Sequence, residues 1–316
     1  MSRIVGAVRS SLPGNAGLGA PEILALAASN GVGGVLFNSM AEISPRLDAG
    51  EVGEAKREAD RLGLGLSVNL GHVNPALPVR GEPLIAAGGG DVAAGARRIG
   101  LLAAEAGIRD VIFTIGRIED RFDASVAWRD QLDGVAALTA AIGPEMRAHG
   151  ARLILKTHEE ISSLEVLRLV ETAGAGNLAV ALDPVNFPCR IEDPVAATRR
   201  LAAHVAQVHY DDATLRMEGD MMRRYLAPVG EGMIDWAAIL AMLPDANVWI
   251  ELHSGQFAMP VFDRAWLDAQ PEIALPEYAG VIGAAVRAGE APVPWDQTAP
   301  TARFAHASKT LKAALR

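Results

Sequence analysis

His72, Lys156, His158, Asp183, His209, Glu251 and His253 stand where short apolar runs stop, and their types are those of metal and proton chemistry. Carboxylates and imidazoles ligate divalent ions, and together with lysine they are the groups that transfer protons near neutral pH. Lys156 and His158 are two residues apart in LILKTHEE, and Glu251 and His253 are two apart in WIELHS. In a strand, residues i and i+2 share a face, so each pair can point the same way. Asp183, His209 and Glu251 end successive runs and resemble a mixed carboxylate and imidazole site. Three such groups on a buried face would be expensive to desolvate without a cation. Such a donor set selects weakly among divalent ions; Mn2+ is the first expectation, with Mg2+, Co2+ or Zn2+ as alternatives.

The elements that must position these residues are eight apolar runs beginning at Arg3, Gly31, Leu64, Arg109, Ala151, Leu178, His204 and Asn247. Each is bounded by turn residues or a polar tip, and helical patterns lie between them, such as DVAAGARRIGLLAAEAG from Asp91. Ser162 or Ser163 suits a helix N-cap, and Gly107 and Gly174 suit C-terminal caps. Strand and helix alternating eight times predicts an α/β chain forming one (β/α)8 TIM barrel. No GxGxxG follows the first run and no Walker sequence is present, so the usual nucleotide folds are not indicated. The stretches 71–90 and 212–233 read as long loops after strands 3 and 7. Residues 1–316 are expected to form a single barrel, with 254–316 as a helical C-terminal extension. In such a barrel the C-terminal strand ends carry the active site, where the polar tips stand.

The chain has 316 residues, is 50% hydrophobic and carries a formal charge of -9. A chain of this size can bury about 75% of the surface its unfolded form exposes. The acidic balance repels nucleic acid and anionic membranes, so neither is an expected partner. Cys189 is the single cysteine, which leaves no intrachain disulfide and points to a reducing, cytoplasmic setting. Arg3 and Arg9 interrupt the start before any apolar stretch of signal-peptide length, and no run is long enough to span a bilayer. Phe262, Trp266 and Tyr278 in the last segment could bury a homo-oligomer contact.

ALDPVNF from Ala181, QVHYDDA from Gln207, VGEGMIDWAAIL from Val229 and VWIELH from Val248 resemble segments of the xylose-isomerase-like superfamily, over roughly residues 150 to 255. The resemblance implies a sugar isomerase or epimerase with Asp183, His209 and Glu251 as ligands of a divalent metal. It also places Asn186 of the LD-x-x-N segment beside the substrate. The chain departs from the family at the fifth strand, where Lys156 stands in place of the usual ligand glutamate. An ammonium cannot bind a metal, so the site either keeps three protein ligands or takes a fourth from His158, Glu159 or Glu160.

On this reading a ketone and a neighbouring hydroxyl of a small keto sugar or sugar acid chelate the metal, which stabilises an enediolate. Lys156, His158 and Glu251 are the catalytic candidates; His72, Arg121, Asn186 and His253 are expected to line the substrate. Arg121, in TIGRIEDRFDASVAW after the fourth run, offers a planar fork for an anion, with Trp128 as a wall. Lys156 is expected either to lose its proton near a metal or to stay charged and hold a carboxylate. Isomerase or epimerase chemistry is ranked first. The loss of the second family glutamate raises a decarboxylase or lyase on a 3-oxo sugar acid or 3-keto glycoside as the alternative. A Schiff base on Lys156 and a non-catalytic sugar-binding barrel are the remaining readings.

Overall fold

The computed structural model describes residues 3–174, 176–252, 255–270, 272–288 and 299–315. Strands β1 (Val5–Val8), β2 (Gly34–Phe37), β3 (Gly65–His72), β4 (Asp110–Thr114), β5 (Arg152–Lys156), β6 (Leu178–Leu182) and β7 (Val205–Tyr210) come first. They are followed by β8 (Ala213–Glu218), β9 (Met221–Leu226), β10 (Asn247–Ile250) and β11 (Phe257–Met259). Strands β1 to β7 and β10 close into a parallel barrel in which β10 lies between β7 and β1. The eight apolar runs are thus the eight staves, and the (β/α)8 architecture expected from their spacing is the one observed.

The helices are α1 (Ala20–Ser29), α2 (Ala49–Arg61), α3 (Glu82–Ala87), α4 (Val92–Glu105), α5 (Trp128–Ala148), α6 (Ser163–Ala173), α7 (Pro194–Leu201), α8 (Trp236–Met242), α9 (Arg264–Asp268), α10 (Leu275–Arg287) and α11 (Pro300–Ala314). Local chemistry starts and stops several of them. Asp48, Asp91, Asp193 and Asp235 each accept a first-turn backbone N–H of α2, α4, α7 and α8. Ser162 and Glu165 form a reciprocal capping box on α6. Gly107 and Gly174 follow α4 and α6 at φ 84° and 85°, a conformation that favours glycine. No helix among the described residues is long and apolar enough to cross a membrane.

Two long connections carry structure of their own. The stretch after β7, read from the sequence as a loop, is the antiparallel hairpin β8–β9, to which β11 adds a third strand. Met222, Arg224 and Leu226 alternate onto its buried face. Beneath it a second apolar cluster gathers Leu215, Met222, Met259, Trp266 and Val281. The C-terminal segment then divides: α10 packs on β8, whereas α11 returns to α8 and β10 and buries Phe304, Ala307 and Leu311 in the main core.

The barrel interior is filled in layers. Near its N-terminal end Asp110 accepts from Gln207 Nε2 at 2.7 Å, Arg152 Nε at 2.8 Å and Asn247 Nδ2 at 3.4 Å. Above it lie Val8, Leu36, Ile112, Ile154, Ala181 and Trp249. Trp249 is 1% exposed, and its ring fits because β1 and β2 place Gly6 and Gly34 against it. A Cβ on Gly6 would stand 2.4 Å from Trp249 Cζ3, and one on Gly34 would stand 2.8 Å from Gly65 O and 3.2 Å from Trp249 Cη2. Gly6→Ala should therefore destabilise the protein by about 1–3 kcal/mol through overpacking. Adding Trp249→Phe should recover part of that loss in chemical denaturation. Equal stability of Gly6→Ala and the parent chain would show that the floor is loosely packed.

Candidate active site at the barrel mouth

The interior face of each strand continues upward with period two, and its last members are polar. Ile112 leads to Thr114, Ile154 to Lys156, Ala181 to Asp183, Gln207 to His209 and Trp249 to Glu251. The result is a charged ring above an apolar floor. Lys156 Nζ lies 2.5 Å from Glu251 Oε2 and 3.1 Å from Asp183 Oδ2. His209 Nδ1 is 2.5 Å from the same Glu251 oxygen, and His209 Nε2 is buried without a hydrogen-bond partner among the described residues. The backbone behind these groups is latched: Asp183 N donates to Thr157 Oγ1 at 2.7 Å, and Leu252 N donates to Ser11 Oγ at 2.9 Å.

Burial alone would pull the Lys156 amine down, but the charges of Glu251 and Asp183 outweigh it and hold its pKa above the ordinary lysine value. With these neighbours alone Lys156 is held as an ammonium; the neutral amine is the expectation for a lysine beside a divalent ion. For His209 the balance is reversed: burial outweighs the attraction of Glu251 and lowers its pKa, leaving a neutral ring with a lone pair to offer.

His158 leaves the ring and faces two other acids. Its Nδ1 is 2.8 Å from both Glu159 Oε2 and Glu160 Oε2, and Glu160 Oε1 accepts from Gly116 N at 3.0 Å. Burial opposes protonation of His158, yet Glu160 and Glu159 overcome it and push the pKa up to about 10. His72, whose ring centre is 6.3 Å from that of His158, goes the other way: burial and the nearby His158 lower it to about 4. His72 Nδ1 is 2.9 Å from Thr114 Oγ1.

Both clusters suit a cation by donor chemistry. In the ring, two carboxylates and the unpartnered His209 nitrogen form a mixed oxygen and nitrogen set, and the Lys156 ammonium already places positive charge between the carboxylates. Among the described residues, His158, Glu159 and Glu160 are the group whose ligand atoms all lie within 4.8 Å of one another. A metal there would have to displace the His158 proton.

Not every residue expected at the substrate is available to it. Arg121 is a correction: its Nη1 donates to both Glu165 oxygens at 2.9 and 2.8 Å and to Glu160 O at 3.0 Å, and its Nη2 donates to Ala269 O. Its guanidinium stacks over Trp128 at 5.3 Å, so its fork holds the α6 cap to the C-terminal segment rather than an anion in the mouth. Asn186 is buried beside Asp183, donating to Thr157 O and accepting from Arg224 Nη1 at 2.8 Å. His253 lies outside the described residues.

Arg224 is a buried residue of this region that sequence reasoning misses, because the stretch 212–233 reads as a loop. It is 1% exposed, donates also to Val185 O and Gly255 O, and lies 4.5 Å over the Phe257 ring. Reading MMRRYL with period two, with Met222, Arg224 and Leu226 inward, would have found it.

A profile described as xylose isomerase-like TIM barrel matches residues 24–256. The 3-oxo-isoapionate decarboxylase of Pectobacterium atrosepticum is 29% identical over 109 residues, 34% of this chain and 40% of that protein. An Escherichia coli protein, YihM, is 26% identical over 127 residues, 40% of this chain and 38% of the relative. The alignments therefore span about two fifths of these curated relatives. Among solved structures, L-ribulose 3-epimerase superposes with a TM-score of 0.63 at 19% identity, covering 100% of this chain and 95% of that one. D-psicose 3-epimerase with D-tagatose, from Clostridium cellulolyticum H10, superposes with a TM-score of 0.67 at 12% identity, covering 99% of each. With a profile match over most of its barrel and the closed parallel sheet itself, the chain belongs to the xylose isomerase-like TIM barrel family.

Proposed function

We propose that the protein is a cation-assisted enzyme that breaks a bond beside the ketone of a small 3-oxo sugar acid bound at the barrel mouth, with decarboxylation as the reaction. The observation that carries this reading is the Lys156 ammonium held between Glu251 and Asp183. Epimerisation needs one group to take a proton from carbon and another to return one on the opposite face. A lysine kept protonated by two carboxylates can give a proton but cannot accept one. It is also no nucleophile, which argues against a Schiff base. Decarboxylation needs only the giving half. The carbon–carbon bond breaks, CO2 leaves, and its electron pair moves onto the ketone oxygen as an enolate. Carbon then takes a proton from Lys156, which solvent restores.

In that sequence Glu251 and Asp183 orient the ammonium, and His209 fixes Glu251 through their shared contact. The similarity to a protein named as a 3-oxo-isoapionate decarboxylase supports the choice of reaction, and the sugar epimerases of the same fold support the substrate class. Asp183, His209 and Glu251 would hold the divalent cation, Mn2+ first, with the His158 cluster as the second group able to accept one. Such an ion, when bound, supplies Lewis-acid stabilisation of the enolate oxygen.

The bond that breaks can be read by NMR in D2O with a panel of 3-oxo sugar acids and ketoses. CO2 release with deuterium at the carbon that carried the carboxylate is expected. An intact, isomerised sugar carrying deuterium would establish the epimerase reading instead. Lys156→Met should keep the circular dichroism of the parent chain and lower kcat by about 10²–10⁴-fold, the range for loss of a general acid. Wild-type turnover in that variant would make the lysine structural. Purified protein should carry a divalent ion that His209→Ala and Asp183→Ala lose on elemental analysis; full occupancy in His209→Ala would remove the ring as the metal site.

A further inference from the structure

Outside the ring, a small cavity lies between the N-terminus of α6, the 3-10 turn Pro184–Arg190 after β6, and the segment following α9. It leaves about 20 Å3 for the centre of a water-sized guest. Arg190 lines it and is 1% exposed, yet among the described residues its Nε, Nη1 and Nη2 have no hydrogen-bond partner. The nearest aromatic contact is a stack over Trp266 at 5.6 Å. Two other wall residues repeat the pattern, since Arg121 Nε and Gln270 Nε2 are also buried and unpartnered. All five of these atoms, three from Arg190 and one each from Arg121 and Gln270, are donors.

The carboxylates around the cavity do not answer them, because each is engaged with another cation. Glu165 takes Arg121 Nη1 and Trp128 Nε1, Glu192 takes Arg200 and Ser163, and Glu272 pairs with Arg168. Arg200 is shared by Glu192 and Glu277, so what Arg190 lacks is a hydrogen-bonded partner rather than a neighbouring negative charge. Burial, followed by the like charge of Arg121, pulls the pKa of Arg190 down to about 9 against the attraction of Glu165 and Glu192. The backbone holds it there despite strain, since the next residue, Ile191, adopts φ 58°, a region unfavourable to a β-branched side chain. A water would accept from two of these donors but brings two protons of its own. An anion accepts from all sides.

The geometry points to a binding site for one small monovalent anion, of chloride size, held by Arg190 and Gln270 with Arg121 Nε. Its place in the fold gives it a role: it would tie the turn that follows Asp183 to the C-terminal segment, as a fixed strut rather than a participant in the chemistry.

Thermal melts of the full chain in chloride and in gluconate, at matched ionic strength, test this. Chloride should raise Tm by roughly 2–4 °C with a saturating dependence, as expected for a ligand of the folded state alone. Arg190→Met, which keeps the packing on Trp266 and removes the donors, should lose the chloride-specific rise; Gln270→Leu should weaken it. Crystals soaked in bromide should show an anomalous peak within hydrogen-bond distance of the Arg190 and Gln270 side chains, a measurement that does not depend on either variant folding. Equal melting in the two salts, an identical chloride response in Arg190→Met, or a cavity holding only water in the bromide-soaked crystal would each overturn the site.

Discussion

Two carboxylates and one ammonium set the terms for everything at the mouth of this barrel. Asp183 is fully buried and Glu251 partly so, and at the depth of Asp183 an uncompensated carboxylate would be penalised by several kcal/mol. Lys156 offsets both at once. The contact also explains why the lysine remains charged although buried, while burial, helped by the Lys156 charge, outweighs Glu251 and leaves His209 neutral. In this site the proton donor is held between the carboxylates at the centre of the ring, which is the physical reason for preferring a reaction that ends with protonation of carbon.

That charge balance has to rest on something rigid. The floor supplies it: Trp249 fills the space above the Asp110 network, and glycines on β1 and β2 let the ring approach the backbone. The contrast between an apolar floor and an ionic top follows from one alternation continued along every strand, so the register that buries Trp249 also raises Glu251 two residues later. A slip of one residue in β10 would remove both from the interior together.

The region beyond the barrel is tied to the same site by buried polar contacts. Asp212, next to β7, accepts backbone N–H groups from Ala213, Gly230, Gly232 and Ile234 and so closes the base of the β8–β9 hairpin. Arg224 carries the hairpin onto Asn186, three residues after Asp183. Arg121 does the equivalent on the other side, joining the α6 cap to Ala269. Arg224, and Arg121, which looks like a substrate fork in the sequence, are thus used as internal braces, which the planar guanidinium suits because it can serve several carbonyls at once.

Much of this was legible locally. Strand periodicity with turn signals marked all eight staves, and the polar tips Lys156, Asp183, His209 and Glu251 could be assigned to one face, because alternation is a property of each strand alone. Ser162 and Gly174 announced the ends of α6 for the same reason. The tertiary structure decided what those tips meet. Lys156 on β5 and Glu251 just after β10 are separated by β6 and β7 in the sheet and by 95 positions in the chain, so their contact exists only because the barrel closes. Partners as distant as Arg121 and Ala269, or Arg224 and Asn186, likewise leave no periodic trace in the sequence. Residue type and spacing determine which side chains share a face; which charges neutralise one another across the interior, and which arginines are spent on bracing, depends on where the folded backbone brings distant segments together.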